Sequence, residues 1–310
     1  MANEIVYAGI GDLSTVEVLS TKYLLLLADR NALPNHPAIT LGYQGDVAGK
    51  GSSVIKVPHA GIFGYDILAT GTEGSDTANT ALTDGSSTIT VVQKDKVYEY
   101  SDLVRMIDAT GIVRPDVFAV DAVVSAGATM LDMLANLVDN FSATVGTTTV
   151  DATIRNFLDA ITTLEIAKVV GPYLSILHPV QWGDIRADVA TASGGAIQFN
   201  SGNEALLNGM KGLGYKGRYL DVDVFTTTRV PTANAAADRA GGMFGAGATV
   251  WADGTQAMDM ADSNRMVLAD KVIFERIRSG RAGLTALLSR KFVGMSEGLD
   301  AAGVSVITDA

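Results

Sequence analysis

The alternation of apolar and polar positions divides the chain into stretches of different texture. Residues 1–53 hold no sustained period. "STVEVLSTKYLLLLADRNAL" fits one helix, but Pro34 stops it, and the glycines of "LGYQGDVAGKG" work against a long regular element. This predicts an irregular N-terminal arm. From Val54 to Tyr100, two runs rich in Val, Ile, Tyr and Thr, "SVIKVPHAGIFGYDIL" and "TITVVQKDKVYEY", flank the tract "TGTEGSDTANTALTDGSST". Fifteen of the nineteen residues in that tract, Thr70 to Thr88, are Ser, Thr, Gly, Asp or Asn. The pattern predicts two strands forming a long arm with a polar tip, with a reach of up to roughly 60 Å at ~3.3 Å per residue. An isolated two-stranded arm is marginally stable in water, so it needs a surface to lie on.

Helical spacing takes over at Pro115. In "PDVFAVDAVVSAGATMLDMLANLVDNF", Val117, Val120, Val124, Leu131, Leu134, Val138 and Phe141 recur at steps of three, four or seven, which predicts a long amphipathic helix over 115–141. Pro115 suits its first turn, and Gly127 marks a bend or a close contact. A second helix follows in "DATIRNFLDAITTLEIAKV", with Ile154, Phe157, Leu158, Ile161 and Leu164 on one face. From Pro172 the texture is mixed. A short strand "YLSIL" precedes a helix starting near Pro179, and a connection rich in Gly, Ser and Asn leads to "RYLDVDVFTTTRVPT". There, Tyr219, Asp221, Asp223 and Phe225 alternate with Leu220, Val222 and Val224, as on a half-buried strand. Strand-like runs "GGMFGAGATVWADG", "KVIFERIR", "LTALLSRKFVGM" and "GVSVIT" close an α+β chain.

Composition sharpens this outline. Of 310 residues, 47% are hydrophobic and 18% charged, and the mean hydropathy is +0.24. So few surface charges suggest that other copies of the chain cover part of the exterior. With 23 basic and 34 acidic residues the net charge is -11, which argues against a general nucleic-acid binder. The charge is unevenly spread: Arg265 to Lys291 holds seven basic and two acidic residues, so that segment is +5 and the remainder -16. There is no cysteine, which excludes disulfides and thiolate chemistry. "MANEIVYAGIGD" has no basic segment followed by an apolar one, and "YLLLLA" is too short to span a bilayer, so the expected product is soluble, cytoplasmic and not bound to membrane.

Most motifs that carry chemistry lack their context. "GLGYKG" matches the dinucleotide fingerprint at Gly212, Gly214 and Gly217, but a helical run precedes it and a strand follows, the reverse of the order that aims amides at a pyrophosphate. Ser53 and Lys56 have the spacing of a serine nucleophile and lysine base only on a helix, and this run is extended. His36, His59 and His178 fall in no paired ligand spacing, and no hydrolase elbow or phosphate loop occurs. No catalytic residue, cofactor or metal ligand is assigned. Asp221 and Asp223 would share a strand face, offering carboxylates to a cation or to arginines of a neighbouring subunit. Trp182 and Trp251 read as core or interface anchors. Arg276, Arg278 and Arg281 form a concentrated positive edge, either a solvated face or a seam that meets the acidic surface of another copy.

This order of parts resembles the major capsid proteins of tailed bacteriophages, the Hong Kong 97 capsid fold. The local texture that carries the likeness is "IKVPHAGI" at the extended loop, "YLSILHPVQWGDIRADV" in the middle and "SRKFVGMSEGLDAAGVSVI" near the end. The resemblance implies an N-terminal arm over 1–53 and an extended loop over 54–100. It also implies a peripheral domain from 101–171 with its spine helix plus 272–310, and an axial domain over 172–271. It further implies pentamers and hexamers tiling an icosahedral shell around double-stranded DNA, bound without sequence specificity, in a virion assembled in the host cytoplasm. Portal and scaffolding proteins would be partners, the scaffold as a separate chain because "MANEIVYAGIGDL" leads straight into the arm. The loop would lie over a neighbouring subunit, making Thr70, Glu73, Asp76 and Asp84 interface candidates. No lysine falls within Thr70–Thr88, so the lysine-to-asparagine crosslinks of some members are not expected. An acidic wall suits DNA that must slide without adhering. The alternatives are an encapsulin-type nanocompartment shell and an enzyme that binds nucleotide through Gly212–Gly217.

Overall fold

The computed structural model describes residues 38–46, 53–60, 84–108, 115–192, 214–255, 265–267, 272–280 and 282–309. The N-terminal part holds strands β1 (Ile39–Asp46), β2 (Val54–Ala60), β3 (Asp84–Thr90) and β4 (Val92–Ser101), then helices α1 (Asp102–Ile107) and α2 (Pro115–Leu137). The middle holds β5 (Thr144–Val145), α3 (Ile154–Ile166), β6 (Tyr173–Leu177), α4 (Pro179–Ala192), β7 (Tyr215–Tyr219), β8 (Val222–Thr226) and β9 (Thr232–Ala233). The remaining strands are β10 (Asp238–Phe244), β11 (Thr249–Thr255), β12 (Arg265–Val267), β13 (Ile273–Ser279), β14 (Leu284–Glu297) and β15 (Gly303–Asp309).

Three sheets form among the described residues. The first is organised on β14. Strand β4 pairs with it from Val293↔Val92 to Leu284↔Ser101, while β13 pairs with the same half, from Arg290↔Ile273 to Leu284↔Ser279. These two strands must therefore occupy opposite edges of β14. Strand β11 takes over on the β13 side from Phe292 onward, β1 lies parallel to β11, and β12 extends the sheet past β13. The second sheet runs β5-β15-β10-β6-β8-β7, with β9 also on β10. The third is the antiparallel pair β2–β3, in register from Val54↔Thr90 to Ala60↔Asp84.

Helix α2 joins the two large sheets. Its N-terminal half sets Phe118, Ala122 and Ala126 against Tyr100, Phe274 and Leu287 of the first sheet. Its C-terminal half, with Val138 and Phe141 just beyond, packs Leu131 and Leu134 against Leu174, Ile176 and Phe244 of the second. Helices α3 and α4 cover the second sheet through Phe157, Ala160, Leu164, Trp182 and Ile185. Each large apolar side chain buried in this way stabilises the fold by about 1.5–3 kcal/mol before entropy is counted. Local chemistry sets the helix starts: Ser101 Oγ accepts from the Val104 amide at 3.2 Å and Thr153 Oγ1 from the Asn156 amide at 3.3 Å.

Several expectations change. The 1–53 arm contains β1, a strand held by seven partners on β11, so its glycines did not prevent a regular element. The helix expected over 14–33 lies outside the described residues. The two flanks of the loop pair only along β2 and β3; after Val91 the chain leaves as β4 and joins β14. In α2 the buried stripe is Phe118, Ala122, Ala126 and Met130, while Val120 is 50% exposed. The helix is apolar nearly all round, so valine spacing alone could not select the face, and bulky Tyr98 and Tyr100 below admit alanines. No atom would meet a Cβ at Gly127 within 4 Å, so that glycine does not mark a close contact. On α3, Leu158 is exposed and Ala160 buried.

The run "RYLDVDVF" is a hairpin, not one strand. Leu220 and Asp221 adopt left-handed φ of 48° and 62°, turning β7 into β8. "GGMFGAGATVWADG" likewise splits into β10 and β11, which belong to different sheets. Sheet membership thus cuts across the expected boundaries: β4 and β11 belong with 272–297, and β15 belongs with 172–244.

The chain passes between the large sheets twice at one place, through 245–248 and 298–302. The two passages are hydrogen-bonded, Gly298 N to Ala248 O at 2.7 Å and Leu299 N to Gly247 O at 2.9 Å. A Cβ on Gly298 would stand 2.3 Å from Gly247 O. Beside them, Asp300 accepts from the Ser142 amide at 2.9 Å and from the Ser142 hydroxyl. These bonds, the hydroxyl's foremost, hold the Asp300 carboxyl below the usual range. Burial and the neighbouring Asp300 push Glu297 up.

Two outcomes follow. Gly298→Ala should destabilise the chain by roughly 1–3 kcal/mol, because a backbone oxygen cannot rotate away; a urea melt at unchanged m-value checks this. Asp300, with its lowered folded pKa, contributes stability that is present above the ordinary aspartate value and is lost as pH falls through the folded value. Ser142→Ala should therefore lower stability at neutral pH, and its gap to the parent chain should close as pH falls below about 4 in a pH series of melts.

Candidate assembly interface

The end of the first sheet formed by β13, β14, β4 and α1 carries the arginine edge expected from the sequence, together with exposed apolar surface. Arg276 lies opposite Leu287 and Arg278 opposite Thr285, so both arginines share the face that Phe274 turns toward α2. Both are exposed. The Arg278 guanidinium donates to Asp102 Oδ2 at 2.9 Å at the start of α1, so one of the expected intermolecular cations already has a partner within the chain. Arg276 makes no ion pair among the described residues. Arg281 lies outside them, as do Thr70, Glu73 and Asp76; Asp84 opens β3 opposite Ala60.

The expected carboxylate pair is not formed. Asp221 sits in the β7–β8 turn, its side chain 91% exposed and 3.4 Å from Arg218. Asp223 is 3% exposed within β8 and accepts from the Tyr215 hydroxyl at 3.1 Å. Burial first, then the Asp223 charge, pushes the Tyr215 phenol up to about 12. The two acids belong to different environments because the turn between them uses two left-handed residues that the alternation did not signal. No group of three metal-ligating side chains occurs among the described residues.

Other singled-out residues are structural. His178 sits just before α4, where its Nδ1 accepts from the Val180 amide at 3.4 Å, and burial with nearby Arg239 lowers its pKa. Buried Gln181 follows, accepting from the His178 amide and donating to Arg239 O, Val306 O and Thr308 Oγ1. Trp182 is buried beside Tyr219, and Trp251 packs on the core cluster of Phe141 and Phe244. Gly214 precedes β7 and Gly217 lies within it, both at positive φ, so the fingerprint glycines run into a strand and not a helix.

What the motif survey missed is apolar. The six-residue helix α1 exposes Leu103 (57%), Met106 (76%) and Ile107 (42%), with Val97, Val120 and Ile277 exposed on adjoining elements. By length and composition Val117–Asn140 would cross a membrane, but a third of it is buried, on the two sheets. The signal available in the sequence was the apolar "DLVRMI", whose three outward residues leave only Val104 for the core.

Comparison with solved structures gives end-to-end matches. A Mycobacterium phage Che8 structure aligns at 13% identity over 94% of this chain and 96% of its own, with a TM-score of 0.62. The capsid of Cyanophage P-SCSP1u aligns at 9% identity over 97% and 94%, TM-score 0.62. The head of Helicobacter pylori bacteriophage KHP40 aligns at 10% identity over 99% and 98%, TM-score 0.61. This chain has the phage capsid fold. No family model and no curated protein sequence matches it. In this fold the β13–β14–β4 end exposes Arg276, Leu103, Met106 and Ile107.

The Arg278–Asp102 pair is half exposed, so it adds at most about 1 kcal/mol to the folded chain. Arg276→Gln and Arg278→Gln should each change stability in urea by less than about 1 kcal/mol while slowing assembly, followed by light scattering, in a salt-dependent way. Full assembly rates in the double variant would remove this edge from the interface.

Proposed function

We propose that this chain is a major capsid protein, a structural subunit without enzymatic activity whose pentamers and hexamers close an icosahedral shell around double-stranded DNA. The observation that carries this reading is the match to phage capsids and heads over nearly the full length of both chains. The exposed apolar side chains of α1 and the neighbouring strands support it, since side chains such as Met106 gain from cover by a second subunit. Nothing observed favours a nanocompartment or a nucleotide-binding enzyme.

On this reading, the segment between β2 and β3 is the extended loop, which lies over a neighbouring subunit. The first sheet with α2 forms the peripheral region, and the second sheet with α3 and α4 the axial region. Arg276, with Arg281, meets acidic surface of an adjoining copy, for which Glu73, Asp76, Asp84 and Asp221 are the candidates, and the contact fixes register more than affinity. The net charge of -11 leaves the shell wall weakly attractive to packaged DNA. Portal and scaffolding proteins are the further partners, and the virion is the destination.

Negative-stain microscopy of the expressed chain, with a scaffolding protein supplied where needed, should show closed particles with five- and six-fold clusters. A solitary molecule at every concentration under both conditions would overturn the reading.

A further inference from the structure

One carboxylate of the second sheet is buried with half of its oxygens unpartnered. Asp238 opens β10 and is 0% exposed. Its Oδ1 accepts from the Thr149 amide at 3.0 Å, while its Oδ2 has no hydrogen-bond partner. Directly opposite it on β15 stands Asp309. The Ser305 amide bonds Ala143 O at 2.8 Å and the Asp309 amide bonds Val150 O at 2.9 Å, so these amides point away from β10. Asp238 and Asp309 therefore form a non-hydrogen-bonded cross-strand pair, the closer kind, with Cβ atoms about 4.5 Å apart. Like charges in that position repel, and a buried carboxylate oxygen without a partner is costly.

The surroundings add negative charge. Gln181 of α4 donates to Thr308 Oγ1 at 2.8 Å, and Asp188 of the same helix accepts from the Ile154 amide at 2.9 Å. Asp184 lies between them on α4, beside both the end of β15 and the segment that holds Asp151. Burial first, then the charges of Asp151 and Asp309, push the Asp184 carboxyl up. None of Asp151, Asp184, Asp238 and Asp309 forms an ion pair among the described residues. Arg239, the nearest cation in sequence, projects from the other face of β10, where its charge acts on His178. The 147–151 segment wraps the pair: Thr149 takes a left-handed φ of 64°, and the Val150 amide donates to Thr147 O at 3.3 Å. Thr147, Thr148 and Thr149 bring hydroxyl and carbonyl oxygens to this edge of the sheet.

We propose that Asp238 and Asp309 hold a divalent cation of the calcium type, completed by oxygens of the 147–151 segment and by water. A doubly charged ion balances the two carboxylates and, with oxygen bonds of about 2.3–2.6 Å, bridges groups at this separation. It gives Asp238 Oδ2 the partner that the chain does not. The donors are all oxygen, and calcium accepts roughly six to eight of them in irregular geometry, whereas magnesium keeps its waters in a strict octahedron. Asp309 is half-buried, which leaves the ion a path from solvent. Two carboxylates place the affinity in the weak class, about 10⁻⁴–10⁻³ M. The ion ties β10, the closing strand β15 and the 147–151 segment together, so binding raises the stability of the folded chain. The site lies within one subunit and does not depend on shell formation.

The test is thermal unfolding of the full chain, stripped of metal with a chelator and titrated with calcium chloride at an ionic strength held constant with sodium chloride. The unfolding temperature should rise and saturate at about millimolar calcium. Asp238→Asn keeps the acceptor for the Thr149 amide and removes the charge, so it should fold, with the half-saturating concentration raised about tenfold or more. Asp309→Asn, on the half-buried partner, should behave alike. Asp221→Asn, in the exposed β7–β8 turn, should leave the titration unchanged. A calcium response identical in the parent chain and Asp238→Asn, or no greater than that to sodium, would overturn the proposal. A parent chain that gains stability as pH falls from about 7 to about 5 without responding to calcium would also overturn it, since a shared proton would then hold the pair.

Discussion

The pairing of β14 with three strands is the constraint on which the rest depends. Its fourteen residues accept β4 on one edge and β13 then β11 on the other, so that one strand holds together segments drawn from all parts of the chain. Register follows from burial: Leu287, Thr285 and Ser289 must face α2, and a slip of one residue would send them to the opposite face. Gly294 matters at this centre, because a Cβ there would stand 2.5 Å from Thr90 O, where the β2–β3 pair leaves the sheet. The β2–β3 pair is thus seated on the first sheet, with Ile89 and Val91 buried against Val250 and Ala252 of β11 and Ile55, Val57 and Phe292 packed beside them.

Helix α2 supplies the second organising contact. Its first half tolerates close approach because the buried stripe is mostly alanine beneath Phe118, which packs on Tyr98 at 4.8 Å between ring centres. Its second half carries leucines that fill the wider gap above the second sheet. The same helix also presents Asp121 and Ser125 to Lys96, so packing and electrostatics position the helix together.

The elements with strong local signals were legible in the sequence. Helix α2, helix α3 after its Thr153 cap, strand β6, helix α4 from Pro179 and the closing strands all stand where spacing or alternation put them. What failed were distinctions that a period cannot make. Alternation continues unbroken through Leu220 and Asp221, so it concealed a turn whose backbone signs are invisible in an apolar-polar pattern. Val120 and Leu158 were misassigned because helices that are apolar on several faces leave the choice of face to their tertiary partners. The arginine edge was readable as a face, but not the Asp102 partner that Arg278 finds 176 positions away. That Lys94 stands opposite Lys291 was beyond reach, since it depends on the register of β4 on β14.

The double passage at Gly247 and Gly298 bears on how the molecule bends. A single linker between two bodies acts as a pivot, whereas two backbones bonded side by side act as a plate, compliant in one direction and stiff against twist. Helix α2 lies across the same junction as a strut. Curvature needed by a larger assembly is then accommodated by flexing along one axis, with the torsional relation of the two sheets preserved.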